Sequence, residues 1–274
     1  MLAVKIDHVD AAYPRVGIGS ADVVYVDEVE YGLTRLLAVF SSELPESVGP
    51  IRSARPNDPT ILANYGPVPL VHSGASRQTY VYLDASSHID VPNGSGPGFR
   101  RDSSRPAPHN LMGTPATLLE TAGGSRPPED VGFRYGPPTP GGTEATSVST
   151  RYAATRMGAG YDPGSGSYRI TTNGRTEIDA LTGDPVQPTT VVVQHVDSRD
   201  STNVTTGGEA TPLAELVGSG EATVLRDGLV WEGTWSRSSV TAPTLFTVGE
   251  EELLFAPGQV WLWLVPTGQA VTVE

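Results

Sequence analysis

The sequence predicts an α+β protein: a mixed α/β N-terminal domain, residues 1–125, then a mainly antiparallel β domain, residues 140–274, with residues 126–139 as a Gly/Pro-rich linker. Three observations predict this. Short valine-rich runs recur along the chain, several with polar residues at alternate positions, the pattern of half-buried strands. Glycine (31) and proline (24) together make up 55 of the 274 residues, a content suited to strands and turns rather than to a helical bundle. Residues 123–143 are dense in both, as an interdomain connection is.

Residues 2–6 read as a strand and residues 11–20, with Pro14, Gly17 and Gly19, as loop. Residues 21–30 read as a strand on which Glu28 and Glu30, two apart, share a face. Gly32 marks a tight turn into an apolar central strand at 33–42. Residues 48–59 lead through a loop to a short helix at 58–65, and residues 68–72 form a buried-type strand ending on His72. A helix is expected at 77–87, and a long polar loop or flexible lid at 91–108. Thr114 as N-cap and Pro115 in the first turn open a helix to residue 121. Beyond the linker, strands are expected at 147–152, 189–196, 221–226, 229–235 and 259–265. Hairpin turns fall within 161–168, at Asn173-Gly174 and at Asp227-Gly228.

The net charge of −13 argues against general binding of nucleic acid or of an anionic membrane surface. Seven of the 17 arginines nevertheless lie between Arg35 and Arg105, which allows a local positive site on an acidic body. The absence of cysteine removes disulfides and thiol catalysis and fits an extracytoplasmic bacterial protein. No apolar stretch approaches the roughly 20 residues of a membrane span. The chain opens directly on a strand-like run, so an export signal or lipidated segment is expected upstream of Met1.

Residue types used by active sites crowd between Tyr25 and Asn110. Such groups are costly to bury singly and are expected to converge on one polar cleft. His72 and His109 are the candidate general acid or base, with Glu28 or Asp102 orienting the ring, and Asn110 stabilising developing negative charge. Arg52 and Arg55 are the first candidates for an anion-binding fork, Arg35 and Arg105 the second; the alternative for Arg52 and Arg55 is a surface ion pair with Glu43, Glu46 or Asp58. Asp7, Ser53 and Ser76 complete the ligand-binding set. Glu28 and Glu30 are either an acid pair or a solvated strand face. His72 is either functional or a satisfied buried histidine, and His109 is either functional or merely bonded to a buried carbonyl. Asp7, Glu28, Glu30, His72 and His109 make a mixed metal site only if the fold assembles one, and no metal is expected, since no His or Cys spacing points to it. No cofactor is expected, for there is no P-loop and no dinucleotide fingerprint. Trp261 and Trp263 share a face at period two and read as core, with a carbohydrate platform as the sharper alternative.

These residues carry a resemblance. Val4-Lys-Ile-Asp7, Glu28-Val-Glu30, Thr34-Arg35, Gly49-Pro-Ile-Arg-Ser-Ala-Arg55, His72-Ser-Gly74, Arg101-Asp-Ser-Ser-Arg105 and Pro108-His-Asn110 in the first half resemble the YerB-like bacterial lipoproteins. Gly218-Ser-Gly220, Arg226-Asp-Gly228, Glu232-Gly-Thr-Trp-Ser236 and Ala256-Pro-Gly258 do so in the second. The chain departs from that pattern at His8, usually Asn, and at Tyr31, usually Gly. The resemblance implies two successive domains of unknown function, export, and usually a lipid anchor on an upstream cysteine. It implies no activity. The expected function is an extracytoplasmic cell-envelope protein that binds, and in the sharper reading hydrolyses, an anionic or polar envelope ligand. The alternative is a non-catalytic binding or scaffold module. The site is expected on the N-terminal domain, roofed by the C-terminal one, and the oligomeric state is open.

Overall fold

The valine-rich runs pair into one mixed sheet drawn from both halves of the chain. The computed structural model describes residues 1–124, 127, 129–205 and 207–274. The boundary expected at residues 125 and 126 lies outside the described residues. In the first half the strands are β1 (Leu2–Asp7), β2 (Val23–Glu28), β3 (Thr34–Phe40), β4 (Pro69–His72), β5 (Ile89–Pro92), β6 (Phe99–Arg101) and β7 (Leu111–Gly113). Helices α1 (Asn57–Leu62), α2 (Arg77–Leu83) and α3 (Pro115–Thr121) lie among them. The second half supplies β8 (Thr143–Glu144), β9 (Ser147–Arg151), β10 (Arg156–Asp162), β11 (Ser167–Thr172), β12 (Arg175–Thr176), β13 (Thr190–Val196) and β14 (Ser198–Val204). It continues with β15 (Ala210–Ala214), β16 (Gly218–Arg226), β17 (Leu229–Arg237), β18 (Leu245–Val248), β19 (Glu251–Glu252), β20 (Val260–Pro266) and β21 (Val271–Val273). The protein is mostly strand, and none of the three helices exceeds seven residues.

The main sheet runs β19-β18-β17-β16-β13-β20-β2-β3-β1-β4-β5. Its two halves meet where β20 lies parallel to β2, from Val23 opposite Val260 to Val26 opposite Trp263. β20 is also parallel to β13. Strands covered on both faces read as unbroken apolar runs, which is what Val-Trp-Leu-Trp-Leu-Val is. Trp261 and Trp263 are fully buried, so they are core and not a carbohydrate platform. A second, five-stranded sheet, β12-β11-β10-β9-β21, packs Val148, Ala159, Ile170 and neighbours against one face. The turns at Asn173-Gly174 and Asp227-Gly228 form as expected. All four residues have positive φ, the conformation a two-residue hairpin with the right twist requires.

Three local expectations are corrected. β2 ends at Glu28, and Glu30–Gly32 is a 3-10 turn with Tyr31 at φ 64°, so the pleat that would align Glu28 with Glu30 stops between them. Residues 91–108 are not one loop: β6 forms there and pairs with β7. The hairpin β14–β15 is absent from the sequence reading, because Ser-Arg-Asp-Ser-Thr-Asn-Val lacks an apolar period. That hairpin bonds to no other strand as a ladder and reaches across to the first half of the chain.

Candidate functional site

Strand register begins the site. In the β1–β3 pair Asp7 stands opposite Arg35, so the two side chains leave the same face of the sheet. The segment after β3 crosses the strand ends, with Arg52 N–H donating to the Lys5 carbonyl at 2.8 Å and Ser73 N–H to the Arg52 carbonyl at 3.0 Å. This brings Arg52, Ser53 and Arg55 beside Asp7 and Arg35. Asp7 is 1% exposed. Its Oδ2 lies 2.7 Å from His109 Nδ1 and 2.9 Å from Arg52 Nε. The outer atoms, His109 Nε2 and the terminal guanidinium nitrogens of Arg52, have no partner among the described residues, and both side chains are partly open to solvent.

Arg55 is held through Nε and a terminal nitrogen, at 3.1 and 2.7 Å, by Glu30 Oε2. Burial alone would raise the Glu30 carboxyl, but Arg55 and the Thr211 hydroxyl hold it below its ordinary value. Glu30 Oε1 accepts from Thr211 Oγ1 and from Asn203 Nδ2, so one carboxylate ties the arginine to the β14–β15 hairpin. Arg35 donates to the Ser53 carbonyl at 3.0 Å and has no carboxylate partner among the described residues. Burial, then the Arg55 charge, push its guanidinium down to about 9, against the pull of Asp7 and Glu30.

Alongside opens a cleft of about 630 Å³ lined by Glu30, Ser53, Arg55, Ser73, Gly74, Ala75, Ser76, Gln78, Asn203, Val204 and Thr205. Ser53 and Ser73 hydroxyls stand 3.3 Å apart. Ser76 caps α2 by accepting from Thr79 N–H and lies 2.5 Å from Asn203 Oδ1. Beneath the floor, Lys5 Nζ is buried between Asp58 Oδ1 at 2.5 Å and Asp27 Oδ2 at 3.5 Å. Asp58 Oδ2 accepts the Arg55 backbone N–H at 2.7 Å, which fixes the turn that aims Arg55. Burial pushes Asp27 up to about 6, opposed by Lys5.

The structure therefore gathers Asp7, Glu30, Arg35, Arg52, Ser53, Arg55, Ser76 and His109. It separates the rest. Glu28 lines a small crevice with Asp27, Asn57 and Ser198, without an ion-pair or hydrogen-bond partner among the described residues. Burial and then the Asp27 charge raise it to about 7. His72 is closed to solvent, with Nε2 2.6 Å from Asp90 Oδ1 and Nδ1 against the Gly74 backbone, the satisfied buried histidine of the two readings. Asp102 accepts from Ser104 and pairs with Arg105. Arg105 also donates to the Ala12 and Pro14 carbonyls. Asn110 Oδ1 accepts from Arg101 at 2.6 Å. These three brace a loop. The carboxylate that orients His109 is accordingly Asp7, not Glu28 or Asp102. Asn203 and Thr211 were missed. Ser73 was placed among the active-site residue types but not in the binding set, and Asp58 only as a surface ion-pair partner for the arginines; the signal for its buried role was the sole lysine inside an apolar strand, since a buried ammonium needs acid partners. No group of three or more His, Asp or Glu among the described residues is placed to hold a metal ion.

The profile of "Protein of unknown function (DUF3048) N-terminal domain" matches residues 1–127, and that of the C-terminal domain matches residues 148–262. The chain belongs to this family. The DUF3048 family pair gives a two-domain architecture, and here the main sheet runs through both segments. "Putative lipoprotein YerB" of Bacillus subtilis is 26% identical over 291 residues, spanning 100% of this chain and 83% of the relative. The crystal structure of the YerB protein from Bacillus subtilis has the same fold, with a TM-score of 0.83 at 24% identity over 99% of this chain and 93% of that one.

Proposed function

We propose that this DUF3048 protein is extracytoplasmic, anchored at the membrane outside this sequence, and binds an anionic ligand of the cell envelope at the Arg35–Arg52–Arg55 cluster. The relative's name as a lipoprotein supports the location. Among the described residues no helix is long and apolar enough to cross a membrane. One observation carries the binding. Three guanidiniums meet two carboxylates, Asp7 on Arg52 and Glu30 on Arg55, and the third, Arg35, bonds only a carbonyl among the described residues. A half-buried guanidinium without a counter-ion is stabilised by any anion that reaches it, most by one with oxygens spaced for bidentate contact. The serine hydroxyls, Gln78 and Asn203 of the adjoining cleft suit the polar remainder of such a ligand.

Titrating phosphate while following the melting temperature tests this reading. At ten times Kd the expected gain is about 1.4 kcal/mol, a rise of roughly 3–6 °C for a chain this size. Arg52→Ala and Arg35→Ala should abolish the rise, whereas Arg77→Ala, an exposed arginine at the start of α2, should keep it. A flat titration of the wild type would leave a non-catalytic scaffold, with no anion site, as the reading that stands.

A further inference from the structure

We propose that His109 is the general base in hydrolysis of a phosphate ester held by Arg52, with Asp7 as its positioning residue. The inference rests on the anion-binding reading of the same cluster and adds chemistry to it. The histidines of this chain differ in what their second ring nitrogen meets. His8 has Nδ1 on Thr34 at 2.7 Å and Nε2 on Thr172 at 3.0 Å. His72 is likewise engaged at both nitrogens, by Gly74 and by Asp90. His88 is bonded at Nδ1 to Ser86, and its Nε2 lies 3.6 Å from Asp90 on a buried side chain, while His195 has no side-chain partner among the described residues. His109 is engaged at one nitrogen, and among the described residues it alone sets a buried carboxylate behind a ring that is open at the other. Its Nδ1–H donates to the buried carboxylate of Asp7 at 2.7 Å, which selects the tautomer whose Nε2 carries the lone pair. That nitrogen has no partner among the described residues and sits on a partly exposed ring. A buried carboxylate behind an imidazole, with the far nitrogen open, holds the ring's direction and stabilises the imidazolium that forms when Nε2 takes a proton.

Arg52 fixes the class of substrate. Its Nε shares the oxygen of Asp7 that His109 uses, at 2.9 Å, so guanidinium and imidazole are neighbours on one carboxylate, and the remaining guanidinium nitrogens have no partner among the described residues. A group bound there must carry a permanent negative charge next to the bond that breaks. A phosphate ester has both in one unit, whereas a neutral carboxylic ester or amide has only the bond. In the step, water loses a proton to His109 Nε2 as its oxygen bonds to phosphorus. The bond from phosphorus to the ester oxygen breaks on the opposite side, the leaving oxygen takes its proton from solvent, and His109 Nε2 returns the water's proton to solvent. Ester and water become phosphate and alcohol. Arg52 stays on the non-bridging oxygens throughout, where charge is held in the transition state.

The experiment uses the whole chain with p-nitrophenyl phosphate and bis-p-nitrophenyl phosphate as probes, the phosphate melting shift in parallel, and ¹⁵N NMR of the histidine rings. The expected result is nitrophenolate release that falls roughly 10²–10⁴-fold in kcat in His109→Ala with KM changed only a few-fold. Asp7→Asn should lower kcat and move His109 away from the Nδ1–H tautomer, a change that a merely structural aspartate would not cause. Three results would overturn the proposal: a phosphate shift without release from either probe, release that survives His109→Ala, or a wild-type His109 protonated on Nε2 and bare on Nδ1. If the phosphate shift is absent as well, the binding reading falls along with the catalytic one.

Discussion

Two clusters in this protein use the same side-chain types and end differently. At Arg15, His8 and Glu177, the guanidinium takes both oxygens of Glu177 at 3.0 and 2.8 Å and adds the Asp7 and Val9 carbonyls. His8 is bonded at both nitrogens, and the carboxyl of the neighbouring Asp179 accepts the Gly17 and Gly19 N–H groups. All four residues are buried. At Arg52, His109 and Asp7, the carboxylate is buried but the cation and the imidazole keep open ends at the surface. A polar network that is complete and dry adds rigidity and offers nothing to a ligand. One that is complete on its inner side only is prepared for a partner. Composition is the same in both, and satisfaction is what tells them apart.

The largest test of that contrast is Arg15→Ala. It leaves Glu177 buried without its cation and should cost about 3–5 kcal/mol in urea unfolding, while any phosphate response of the folded protein is kept. A small loss would mean that the first cluster is not the closed structural network described. Next is Glu28→Gln. The folded Glu28 carboxyl is raised to about 7, so its ionisation opposes folding above that pH and has no effect below the ordinary carboxylate range. The variant should therefore be more stable than wild type by roughly 1–2 kcal/mol at pH 8, allowing for the solvent that still reaches the group, with the difference gone by about pH 4. Equal stability at both pH values would show that Glu28 is solvated. Glu177 has the opposite sign. Despite burial, which alone would raise it, His8 and Arg15 hold its carboxyl down to about 2, so its contribution is present above the ordinary carboxylate range and is lost as pH falls toward 2.

Arg35→Met sharpens the comparison from the open side. Removing a guanidinium without a counter-ion should stabilise the unliganded protein by about 1 kcal/mol and eliminate the phosphate response, a site residue trading stability for binding. A destabilised variant would show instead that Arg35 is the cation Asp7 needs. The smallest expected effect is on His109→Ala, whose partly exposed ring should change stability by less than about 0.5 kcal/mol. A cost like that of Arg15→Ala would move His109 into the structural class.

Part of the site was legible before folding. Arg52 and Arg55, flanked by Pro50 and Pro56, pointed to an anion-binding fork, and His109 after Pro108 to a fixed polar corner; the His109 ring is partly open to solvent. Glu28 misled because period two was carried one turn too far, past the end of β2 into the 3-10 turn at Glu30. His72 misled because the end of an apolar strand looks the same whether the next contact is solvent or Asp90. Asn203 and Thr211 gave no signal, for a polar hairpin over a cleft has the composition of any loop.

By itself the sequence determined what depends on neighbours along the chain. The valine runs specify strands, Asn173-Gly174 and Asp227-Gly228 specify their turns through positive φ, and Pro115 opens α3. Only the tertiary structure decided that β20 lies against β2, that His109 reaches Asp7 across 102 residues, and that Thr211 reaches Glu30 across 181. The reason is physical. An alternating pattern says which face of a strand is buried but not which strand lies beside it. The entropy of closing a loop grows only with the logarithm of its length, so partners a hundred residues apart are nearly as accessible as partners at twenty, and nothing local in the chain distinguishes them.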